Sequence, residues 1–186
     1  MPVPSTAERQ EVRDTLLVHV SKHYCDAEIG GEGYVPTENN ILVWQHDGRR
    51  DYLALWWASR WYEPDQKTDG TTETLCSGGS ATSRFYLAHL VRHNGRLQVA
   101  EQDMLQKQMQ NSDVNSPYVV HLRFIESVRL NPDHTLNIIS AKHAYGEEGD
   151  MEGPNFPSKQ WHYRVRLPDM EVLEARYVGK TSYAKE

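Results

Sequence analysis

The chain has 186 residues, of which 38% are apolar and 25% charged, with 5 Trp, 10 Tyr and 3 Phe. This composition supports one domain with a hydrophobic core and excludes a disordered chain, a collagen and a coiled coil. A net charge of −6 argues against nucleic acid as the main partner, and no apolar run approaches the roughly 20 residues of a membrane-spanning helix.

Met1-Pro2-Val3-Pro4 has no basic start leading into an apolar stretch, so no signal peptide is visible there. Residues 5–24 read as a helix. Ser5 or Thr6 can cap it, and Glu8 stands three residues after Ser5, the spacing of a capping box. At about 100° per residue, Val12, Leu16, Leu17, Val20 and Tyr24 share one arc, with Glu11, Asp14, Thr15, Ser21 and Lys22 opposite. One face therefore packs, and a sheet is the expected cover. His19 and His23 are four apart, but no Glu follows His19 in the HExxH manner, so they read as histidines packed at the helix–sheet boundary. Cys25 and Cys76 lie too far apart for a CxxC site. In an oxidising compartment they can pair, closing a loop of about 50 residues worth roughly 4 kcal/mol; in the cytosol they are ordinary thiols.

From residue 40 the pattern turns to strands. Four tight-turn signals recur: His46-Asp47-Gly48, His93-Asn94-Gly95, Asn131-Pro132-Asp133 and Pro168-Asp169. The flanking runs pair as 41–46 with 50–62, 84–92 with 96–105, 118–130 with 134–145, and 160–167 with 171–178. The echo between His46-Asp47-Gly48-Arg49 and His93-Asn94-Gly95-Arg96 hints at duplication. Run 50–62 carries Leu53, Leu55, Trp57 and Trp61 on one side and Tyr52, Ala54, Trp56 and Tyr62 on the other, so it is expected to be central and covered twice. In 118–130, Tyr118, Val120, Leu122, Phe124, Val128 and Leu130 face in, and in 160–167 so do Trp161, Tyr163, Val165 and Leu167. The polar stretches 63–80, 106–117 and 146–159 read as connections.

The outward residues His121, Arg123 and Arg129, with His162, Arg164 and Arg166, form two cationic strand faces in an acidic chain. As neighbours they would make a face for an anion or an acidic partner. The stretch Cys76 to Ser83 lacks both the Gly-x-Ser-x-Gly nucleophile elbow and the Gly-Lys-Ser/Thr end of a phosphate loop, and reads as a projecting contact loop. Glu147-Glu148-Gly149-Asp150-Met151-Glu152 does not match the ligand spacing of an EF-hand and reads as a solvated acidic turn.

Gly149-Asp150-Met151-Glu152-Gly153-Pro154-Asn155-Phe156-Pro157-Ser158, followed by the strand Gln160–Leu167, resembles the closing hairpin of small exported bacterial β-rich proteins, in which a Gly-Asp turn and a Pro-Ser pair introduce the last strands. The resemblance covers about 30 residues, and the cysteine often found before Pro-Ser is missing here. It implies an envelope location and no activity.

The expected fold is α+β: one N-terminal helix packed on a mainly antiparallel β-sheet or open barrel of about eight strands in four hairpins. It forms a single domain over 1–186 with a β-rich body at 40–180. No catalytic set assembles along the chain, and binding function concentrates on loops held by a rigid scaffold. The expected function is therefore non-catalytic binding, by a bacterial envelope inhibitor or toxin-immunity protein. Its partner would be a protein such as a toxin or cell-wall hydrolase, met by Ser77, Gly78, Gly79, Ser80, Glu147, Glu148 and Asp150. No cofactor or metal is expected, and oligomeric state is left open. A small-ligand carrier with an aromatic-lined cavity is one alternative. A hydrolase whose His and carboxylate come from different strands, and meet only in space, is the other. The expected location is periplasmic or secreted, with the cytoplasm as alternative.

Overall fold

A computed structural model describes residues 2–29, 40–79, 82–109, 116–143 and 157–181. Helix α1 runs Thr6–Val20. Ser5 caps it: the Glu8 amide donates to Ser5 Oγ (3.2 Å), and the Ser5 amide donates to Glu8 Oε2 (2.7 Å). The helix stops four residues earlier than its hydrophobic pattern suggests, so the buried stripe is only Val12, Leu16 and Val20, and Leu17 is exposed. Tyr24, beyond the helix, still packs inward, edge-on to Trp56 and Tyr86 at 5.1 and 5.5 Å.

Eleven strands are present among the described residues: β1 (Glu28–Ile29), β2 (Ile41–His46), β3 (Arg49–Ala58), β4 (Arg60–Gln66), β5 (Thr72–Gly78), β6 (Arg84–His93), β7 (Arg96–Glu101), β8 (Ile125–Leu130), β9 (Thr135–Lys142), β10 (Lys159–Arg166) and β11 (Glu171–Lys180). All pairings are antiparallel. The fold is thus one helix with mainly antiparallel sheet, in three sheets rather than one body of about eight strands. The four expected hairpins all form, as β2–β3, β6–β7, β8–β9 and β10–β11. Asp47 and Gly48, and likewise Asn94 and Gly95, carry the positive φ values that two-residue hairpins need.

The larger sheet is built round β3, which pairs with β6 on one edge and with β2 and then β1 along the other. Its side chains alternate between two buried faces. Tyr52, Ala54, Trp56 and Ala58 join Val12, Leu16 and Val20 in the layer under α1. Leu53 and Leu55 turn the other way, toward the sheet β11-β10-β9-β8, where Val128, Leu136, Ile138, Tyr163 and Val165 complete a second core. The molecule is therefore layered as helix, sheet, sheet. A 3-10 helix, Met104–Met109, takes up part of the polar connection after β7 and buries Met104 and Leu105 in the inter-sheet core.

Three departures from the sequence reading have local causes. Run 50–62 breaks at Ser59, where the Asp26 carboxylate accepts from the Ser59 and Arg60 amides (3.1 and 2.9 Å) and from Ser59 Oγ (2.5 Å). Trp61 and Tyr62 therefore leave the central strand and belong to β4. Residues 63–78 of the stretch 63–80 are not a loop but most of the β4–β5 hairpin, turning at Gly70, while Ser80 lies outside the described residues. The run 118–130 becomes a strand only at Ile125, and Tyr118 is exposed although Val120 and Leu122 are buried.

Candidate functional site

The β4–β5 hairpin stands apart from both cores. Residues 60–65 and 72–78 are exposed on both faces save for Trp61 and Ser77, and Tyr62 and Leu75 are each 43% exposed. A two-stranded ribbon of this kind is marginal by itself in water. Here its base is fixed. Cys76 forms a disulfide with Cys25 (Cα–Cα 6.1 Å), the Tyr62 amide donates to the His23 carbonyl (2.9 Å), and the Cys25 amide donates to the Arg60 carbonyl (3.2 Å). The segment after α1 thus pairs with the base of β4, and β5 has an unpaired edge among the described residues.

Of the residues expected to contact a partner, Ser77 and Gly78 end β5, and Gly79 follows at the hairpin base. Gly78 has φ +105, and a Cβ there would stand 2.4 Å from the Ser59 carbonyl oxygen and 2.9 Å from the Trp61 ring. The Gly79 amide donates to that same carbonyl, as does Thr82 Oγ1 (3.1 and 2.7 Å). These glycines close the hairpin onto the sheet, so the exposed surface lies further along the ribbon. Ser80, Glu147, Glu148 and Asp150 lie outside the described residues, as do Gly149–Phe156.

The basic strand residues divide. The register aligns Arg129, Asn137, Arg164 and Glu174 in one row across the second sheet, and Ser127, Ile139, His162 and Arg176 in the next. Arg129, His162 and Arg164 therefore share the solvent-facing side of that sheet, and Arg176 joins them. These rows line a shallow depression of about 330 Å³. Arg164 is ion-paired with Asp133, and Arg166 with Glu171 at the end of the sheet. The Thr135 hydroxyl and Arg164 hold the Asp133 carboxyl down at about 2. His121 and Arg123 precede β8 and are not on this face. His121 stacks on Phe124, and burial pushes its pKa down to about 4, so it is neutral at pH 7. His19 is half-buried on α1, whereas His23 is exposed past the helix end.

A different cluster lies at one end of the inter-sheet layer. His46 on β2, Asp51 on β3 and His89 on β6 all point to the face that carries Leu53, Leu55 and Leu87. Asp51 is 3% exposed. Its Oδ2 receives both His46 Nε2 (2.8 Å) and His89 Nε2 (2.9 Å). An ionised carboxylate only accepts, so both rings present Nε2–H to it. The Trp44 ring stacks on His46 with centroids 3.8 Å apart and lies 5.2 Å from His89, and its Nε1 donates to His134 Nδ1 (3.2 Å). The sequence does carry a trace of this group. Asp51 is a charged residue in register with Leu53 and Leu55, and His46 is in register with Leu42 and Trp44, all on a face that must be buried.

No protein-family model, curated protein or solved structure matches the chain. A disulfide is compatible with an oxidising compartment. No helix among the described residues is long and apolar enough to cross a membrane.

Proposed function

We propose that the protein is a non-catalytic binding protein of the bacterial envelope that presents its β4–β5 hairpin to a partner protein, an exported toxin or cell-wall hydrolase. One observation carries the reading: the hairpin buries almost nothing of its own yet is stapled and latched at its base. A ribbon that adds little to the core and is nonetheless held rigid suits recognition, because rigidity in the free state lowers the ordering entropy lost on binding. Tyr62 and Leu75 are the apolar anchors on its two faces, and the edge of β5, unpaired among the described residues, offers main-chain groups for strand addition. The basic outer face of the second sheet, with Arg129, His162, Arg164 and Arg176, supplies a second surface for an acidic partner.

The purified protein, mixed with a panel of exported toxins and cell-wall hydrolases, is expected to form a complex with one of them and to block its activity. Tyr62→Ala with Leu75→Ala is expected to weaken that complex by at least about tenfold without unfolding the sandwich. Absence of any complex across the panel, or a complex untouched by the double substitution, would count decisively against the hairpin as the binding element.

A further inference from the structure

We propose that His46, Asp51 and His89 form a binding site for one divalent first-row transition-metal ion, with the remaining coordination position open to water or a ligand. Two imidazoles and one carboxylate are the donors such ions take, whereas calcium and magnesium prefer oxygen throughout. The three donor atoms lie within 4.8 Å of one another. For bonds of about 2.0–2.2 Å, neighbouring ligand atoms of a tetrahedral site stand roughly 3.3–3.5 Å apart. The present 2.8 and 2.9 Å separations therefore need to open by only about half an ångström.

Position and rigidity fit as well. The donors come from three adjacent strands of one sheet, and the Trp44 ring holds His46 from one side. His46 and His89 side chains are 13% and 17% exposed and Asp51 only 4%, so the site is dry at its base and reachable at its rim. His46 Nδ1 stands 3.6 Å from Oδ2 of the exposed Asp47, beyond hydrogen-bond length. The proton balance closes. For the ion to enter, a ring that carries its proton on Nε2 passes it to Nδ1, which frees Nε2 as a ligand without releasing a proton. The charge of the ion is then offset in part by Asp51. Both described cysteines are tied in the disulfide, so thiolate does not compete for the ion.

Full-length protein freed of metal with a chelator, then titrated with Zn²⁺ by calorimetry and with Co²⁺ by visible absorption, is expected to take up about one equivalent. The Co²⁺ form is expected to show the d–d bands of a low-coordinate nitrogen–oxygen site. His46→Gln and His89→Gln are each expected to weaken binding at least about tenfold, while His93→Gln, at an exposed hairpin turn, leaves it unchanged. Should the variants fail to fold, ¹⁵N spectra of the wild-type imidazoles decide. Zn²⁺ must shift Nε2 of His46 and His89 and leave the other rings in place. No saturable uptake, uptake indifferent to both substitutions, or Nε2 signals that do not move would each overturn the proposal.

Discussion

At the scale of single residues, the positions that hold this molecule together are often those whose residue type suggests something else. Gly78 lies in a Gly/Ser stretch that reads as flexible, yet it has the least freedom of any glycine with a described environment: its φ is +105 and the Ser59 carbonyl fills the space a Cβ would need. Gly79 beside it meets nothing within 4 Å and has no positive φ. Gly78→Ala is therefore expected to destabilise the hairpin base by about 1–3 kcal/mol, while Gly79→Ala stays within about 0.5 kcal/mol of wild type. Amide exchange along β4 and β5 reads both, and equal protection in the two variants would refute the distinction. The difference between adjacent glycines is invisible in sequence because it depends on a carbonyl 19 residues away in the chain. Asp51 is the opposite case. Its place on an apolar face is legible, but its two histidines come from other strands and meet it only once β2, β3 and β6 are aligned.

At the scale of elements, the four hairpins that enclose a core are legible, because burial imposes alternation and turn formers separate the runs, Asp47-Gly48 and Asn94-Gly95 in two of them and Asn131-Pro132-Asp133 and Pro168-Asp169 in the others. The fifth is not. The β4–β5 hairpin has Asp69-Gly70 at its turn, but Pro64 stands in β4 and the flanking residues do not alternate, since neither face is buried. Its stability must come from its attachments, and the disulfide is the strongest of them. Replacing both Cys25 and Cys76 with Ser is expected to lower global stability by about 2–4 kcal/mol. The hairpin amides should then exchange much faster, while those of β3 and β6 stay protected under native conditions. Denaturant unfolding with native-state exchange measures both. If β4 and β5 remained as protected as β3, the hairpin would owe its order to something other than the staple. The break at Ser59 is illegible for a related reason: a single carboxylate, Asp26, caps it from 33 residues away.

At the scale of the whole molecule, the two cores share β3, and the titratable groups around them respond to acid with opposite signs. The layer under α1 is joined through Glu8, which accepts from the Tyr52 hydroxyl (2.7 Å) and Arg50 Nε (2.9 Å). The Tyr52 hydroxyl first, and then the Ser5 amide of the capping box, hold its carboxyl down at about 2. A depressed carboxyl stabilises the fold above its unfolded value of 4.5, and that contribution is lost as the pH falls from there toward 2. Two partly buried groups that belong to neither core cluster act earlier. Burial depresses His121 from 6.5 to about 4, so the unfolded chain takes up a proton that the folded one refuses, and stability falls between those values. Asp103 works against it: burial outweighs the attraction of Arg84 and raises its carboxyl from 3.8 to about 6, so protonation favours the fold over nearly the same interval. Each shift amounts to about 3 kcal/mol, and the signs are opposite. The wild type should therefore be nearly flat in stability from pH 6.5 to 4 and fall only below that. Asp103→Asn removes the opposing carboxyl and should expose a loss of about 3 kcal/mol over that interval, whereas His121→Gln should gain stability on acidification by a similar amount. Urea unfolding at intervals of pH gives all three slopes directly. Parallel profiles for the two variants would refute the compensation, because a shared slope cannot arise from two groups of opposite sign.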